Sequence, residues 1–111
     1  MGVACCRMDR CLAIQKKMGL HPADPIVQED GLNSMYKLLT NKFDGSYWNK
    51  RFGENKGIDM LYRLLYQHRG KELVERGVCR VIRVAATNLA NAELIRTSRI
   101  ESQIDALMEM E

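Results

Sequence analysis

Gly57-Ile58-Asp59-Met60-Leu61-Tyr62-Arg63-Leu64-Leu65 is the stretch that decides how this chain folds. Ile58, Leu61, Leu64 and Leu65 recur at helical spacing, so they line one face of a helix. The same pattern stands upstream in Gly31-Leu32-Asn33-Ser34-Met35-Tyr36-Lys37-Leu38-Leu39. Both copies read Gly, aliphatic, two spacers, large apolar, Tyr, base, Leu, Leu. A degenerate third copy, Ile104-Asp105-Ala106-Leu107-Met108, aligns with Leu61 through Leu65. The copies are 26 and then 43 residues apart, and the second interval lies in the range of helical-solenoid repeats.

Helical spacing continues on either side. Leu73, Val74, Val78, Val81, Ile82, Ala85 and Leu89 form an apolar stripe through residues 72–90. Val78-Cys79-Arg80-Val81-Ile82 is rich in β-branched residues, but a 3.6-residue period fits the full length better than a strand. Asn91-Ala92-Glu93-Leu94-Ile95 reads as a short helix, and Ile100, Ile104, Leu107 and Met108 carry a last one. Residues 44–57, with Gly45, Gly53 and Gly57, read as a loop or broken helix around Trp48 and Phe52. The expected fold is all-α. Residues 1–18 form a Cys-rich basic N-terminal segment. Residues 19–31 hold both prolines and read as a linker, and residues 32–111 form the helical domain.

Composition narrows the function. The 111 residues make one small domain, 46% hydrophobic and 28% charged, with no apolar run near the eighteen or so needed to span a membrane. The net charge of +3 sits in residues 1–20, where Arg7, Arg10, Lys16 and Lys17 face Asp9 alone. The remainder is electrically balanced, which argues against a nucleic-acid footprint. A cationic head suits an anionic membrane surface. Cys5, Cys6 and Cys11 crowd the first eleven residues, with Cys79 far behind, and no apolar signal region precedes them. That pattern is no disulfide framework and fits a reducing cytosolic compartment. Cys6, Cys11 and His21 do not reach zinc-ligand spacing, so neither metal nor cofactor is expected. No phosphate loop, nucleophile elbow or paired carboxylates occur, and His68 stands at a helix end where terminal carbonyls suit it. The expectation is a non-enzymatic protein.

The order after residue 57 carries a resemblance. A short helix over 58–66 precedes a long one ending Ala85-Ala86-Thr87-Asn88-Leu89-Ala90, then another short helix. This resembles an armadillo repeat across residues 57–108, and HEAT units are similar at this level. The resemblance implies a short α-solenoid of about two helical units that binds extended segments of other proteins. Asn88 matches the asparagine that contacts partner backbone in that family. The tryptophan preceding it in import receptors is Val84 here, so an import-type groove is not implied. Arg76, Arg80 and Arg83 form a stripe on the long helix that favours an acidic partner.

Met1-Gly2-Val3-Ala4-Cys5-Cys6-Arg7 resembles an acylation signal. Loss of Met1 exposes Gly2 for myristoylation, although Cys6 stands where Ser or Thr is usual. One myristoyl chain binds membranes only marginally, and palmitate on Cys5 or Cys6, or on Cys11, supplies the second signal. The whole is similar to myristoylated armadillo scaffolds that tether organelles. A different resemblance lies in Leu61-Tyr62-Arg63, the signature of small mitochondrial LYR assembly factors, which implies acyl carrier protein as partner. Here the tripeptide falls at mid-chain rather than near the start of a first helix. Two solenoid units leave end faces bare, with Leu32, Met35 and Leu39 at one end and Ile104, Leu107 and Met108 at the other. A second copy or a stabilising partner is expected to cover them.

Overall fold

Asp24 and Pro25 start a helix instead of continuing a linker. The Asp24 carboxylate accepts hydrogen bonds from the Ile26 and Val27 N–H groups at 2.9 and 3.4 Å. Pro25 occupies the first turn, where its fixed φ suits the helix and its missing N–H costs nothing. The computed structural model describes residues 9–97. Among the described residues it contains six helices and no strand: α1 (Arg10–Leu20), α2 (Pro25–Leu39), α3 (Gly45–Glu54), α4 (Gly57–Gln67), α5 (Glu72–Ala85) and α6 (Leu89–Thr97). The linker expected over 19–31 therefore shrinks to the turn at 21–24. The segment around Trp48 and Phe52 is one continuous helix. The stripe expected over 72–90 breaks after Ala85. The helix expected over 100–108 lies outside the described residues.

The centre of the core is the pairing of α2 with α5, the most extensive among the described helices. Leu32 and Met35 of α2 meet Val74, Val78, Val81, Ile82 and Ala85 of α5, all buried. The β-branched residues of α5 thus fill a helical interface. Gly77 lets the two helices approach: a Cβ there would sit 2.9 Å from Leu32 Cδ1 and 3.1 Å from Leu32 Cβ. Ile58, Leu61, Leu64 and Leu65 of α4 and Trp48 and Phe52 of α3 complete the same cluster. Leu32, Met35 and Leu39, expected as a bare end face, are each no more than 2% exposed. The chain covers them itself, with α1, α3 and α5 packed around α2. Cys11 of α1, for example, lies 3.7 Å from the Met35 sulfur.

Polar side chains close the helix ends. Gln28 is buried and its Nε2 donates to the Met18 and His21 carbonyls at 3.0 and 2.8 Å, capping the end of α1. His68, also buried, stands just past α4, with Nε2 2.8 Å from the Pro22 carbonyl oxygen. It ties α4 to the α1–α2 turn rather than serving its own helix alone.

Candidate functional site

Ala86, Thr87 and Asn88 turn the chain from α5 into α6. Thr87 Oγ1 donates to the Val84 carbonyl at 2.7 Å, and Asn88 Oδ1 accepts from the Asn91 N–H at 3.0 Å. The second bond satisfies an otherwise orphaned donor in the first turn of α6. This turn lays α6 across α3, and between them runs an open groove of about 610 Å³. Asn49, Lys50 and Gly53 of α3 line one side; Asn88, Leu89 and Leu94 line the other.

Two asparagines hold the groove together. Asn49 is buried, and its Nδ2 donates to the Leu39 and Gly45 carbonyls at 3.2 and 2.9 Å. Asn91, 1% exposed, donates from Nδ2 to the Asn49 carbonyl at 2.8 Å. Gly53 is needed beside it, since a Cβ there would collide with Asn91 Oδ1. Asn49 Oδ1 is buried with no hydrogen-bond partner among the described residues. An unpaired buried acceptor carries a free-energy penalty of about 1–3 kcal/mol. On the rim, Leu89 is 88% exposed and Leu94 45%. Aliphatic, amide and hydroxyl groups make up most of the lining, with Lys50 and Glu54 adding charge, which suits binding of a peptide segment.

The residues singled out from sequence fall in three places. Arg76, Arg80 and Arg83 share the exposed face of α5. Arg76 pairs with Glu72 at 2.8 Å, and Arg80 lies over the Tyr36 ring, 4.1 Å from its centroid. Glu29 and Asp30 line the same shallow groove as Arg76 and Arg80, so the stripe carries its own acidic neighbours. Asn88 stands apart from the arginines, in the α3–α6 groove. Gly2, Cys5 and Cys6 lie outside the described residues. Cys11 is fully buried in α1, and burial, reinforced by the Asp9 charge, pushes its thiol up to about 12. A thiol buried in this way is a weak nucleophile. Leu61 is buried, Tyr62 half-buried and Arg63 exposed on α4.

Asn49 and Asn91 were not singled out as site residues. The signal for Asn49 was present: Gly45, Trp48, Asn49 and Phe52 recur at i, i+3, i+4 and i+7, which turns an amide inward among core residues.

Where the N-terminal segment joins the fold, Asp9 caps α1 by accepting from the Leu12 N–H at 2.9 Å. The same carboxylate accepts from Arg51 Nη2 at 2.6 Å and Asn55 Nδ2 at 3.2 Å. Burial pushes the Asp9 carboxyl up, but the bonds from Leu12, Arg51 and Asn55 outweigh it and hold it below its ordinary value. The hydrogen bond that Arg51 donates to Asp9 in turn raises the Arg51 guanidinium. No group of His, Cys, Asp and Glu among the described residues could hold a metal ion, and no described helix is long and apolar enough to cross a membrane. Compared with known proteins, the chain matches no family model, no curated sequence and no solved structure.

Proposed function

We propose that this chain is a non-enzymatic interaction module, a scaffold or adaptor, that takes a segment of another protein into the α3–α6 groove. The groove carries this reading: exposed Leu89 and Leu94 stand beside a lining that includes the amides Asn49, Asn88 and Asn91. A segment offering an aliphatic side chain and backbone polar groups suits such a lining. The succession of short α4, longer α5 and short α6 supports an armadillo-like unit, with Asn88 at the rim of the groove. In this reading acyl groups on Gly2 and on Cys5 or Cys6 hold the module on the cytosolic face of a membrane. The sequence Met1 through Arg7 supports that part.

The two halves of the proposal separate experimentally. In the cells of origin, Gly2→Ala should move the protein to the soluble fraction while affinity capture still returns its partners. Leu89→Asp should leave it on the membrane and remove one partner from the captured set. Wild-type protein found soluble refutes the tether, and an unchanged captured set for Leu89→Asp with Leu94→Asp refutes the groove.

A further inference from the structure

Helices α1 and α2 run antiparallel, so the start of α1 meets the end of α2. Arg10 and Ile14 of α1 and Lys37 and Leu38 of α2 line an open depression there, closed by Asn41. The loop into α3 follows at once. Asn41 Oδ1 accepts from the Phe43 and Asp44 N–H groups at 2.8 and 3.4 Å, a local turn that fixes the loop. Phe43 is presented at its tip, 99% exposed. Tyr47, one turn into α3, is half exposed and set edge-on to Trp48. Arg10, Lys37 and Lys42 are all exposed around this aromatic prong and have no ion-pair partner among the described residues. Of the carboxylates nearby, Asp9 is engaged by Arg51, and Asp44 has its Oδ1 buried.

We propose that this end of the bundle is a docking surface for anionic lipid, with Phe43 entering the headgroup layer and Arg10, Lys37 and Lys42 contacting phosphates and carboxylates around it. A phenylalanine held outside the fold by an ordered turn gains by leaving water. Bases close to an anionic bilayer add to that gain. The charge of the surface and the order of the sequence favour lipid over a protein partner. Asp9 is pinned to Arg51 of α3 and directly precedes Arg10 of this surface, and Arg7 and the acylation residues lie just before it in the sequence. The proposal deepens the tether reading: acyl chains anchor the protein, and this surface orients it.

The full-length chain made without acyl groups tests the surface independently of the tether. Its partition is compared between phosphatidylcholine vesicles and vesicles that also contain phosphatidylserine. Wild type should bind the second kind selectively, and raised salt should weaken it. Lys37→Glu and Lys42→Glu should each weaken binding at least about fivefold. Phe43→Asp should weaken it and Phe43→Leu should largely preserve it. Arg69→Glu, in the turn between α4 and α5 at the other end of the bundle, should have no effect. No binding to phosphatidylserine vesicles, or equal losses for Arg69→Glu and Lys42→Glu, overturns the surface. In that event an acidic protein face becomes the better occupant, while the tether stands or falls on Gly2→Ala alone.

Discussion

Asn91 shows what a single buried amide does here. Its Nδ2 reaches across from α6 to the Asn49 carbonyl, and Gly53 clears the space it needs. Asn91→Leu removes the amide hydrogen bond that ties α6 to α3 and puts a branched apolar side chain in its place, so stability should fall by about 1–3 kcal/mol in urea unfolding. Asp9 makes a different prediction, one that depends on pH. Its folded carboxyl is held below the ordinary value of 3.8, so the unfolded chain binds the proton more readily. The stability it contributes is present above that value and is lost as pH falls through the lower folded value. Asp9→Asn keeps a good cap for α1 but abolishes the charge. Wild type should therefore exceed Asp9→Asn in stability near neutrality, and the difference should vanish in strong acid. A pH-independent difference would mean that the Arg51 contact contributes nothing through its charge.

Among the elements, α4 and α5 were legible because their apolar residues repeat at helical spacing without interruption. Helix α3 was obscure because Gly45 and Asn49 occupy half of its inward positions, and neither looks apolar in sequence. The start of α2 was misread because proline ends helices from within but begins them at the first turn. What remained hidden in α5 was Gly77, whose role depends on which helix lies opposite. Gly77→Ala should gain up to about 1 kcal/mol of helix propensity. It should lose about 1–3 kcal/mol by pressing on Leu32, whose Cβ is fixed to the α2 backbone. The expected result is net destabilisation, read as a lower urea midpoint. A higher midpoint would show that α2 and α5 separate freely.

For the whole molecule, repeat spacing suggested bare ends, but the described residues bury Leu32, Met35 and Leu39 within one core. Periodicity identifies which face of a helix is apolar and says nothing about whether the same chain covers it. The candidate groove was only half legible: Asn88 stood out, while Asn49 and the exposure of Leu89 depend on α6 crossing α3. The central claim is that this groove holds a partner while the protein sits on a membrane. It is tested most directly by a photo-cross-linking residue placed at position 89 in the cells of origin. The account predicts a discrete adduct in the membrane fraction, lost on adding Leu94→Asp and absent when the cross-linker is placed at position 69. A soluble protein whose position 89 gives no adduct beyond that of position 69 would contradict it.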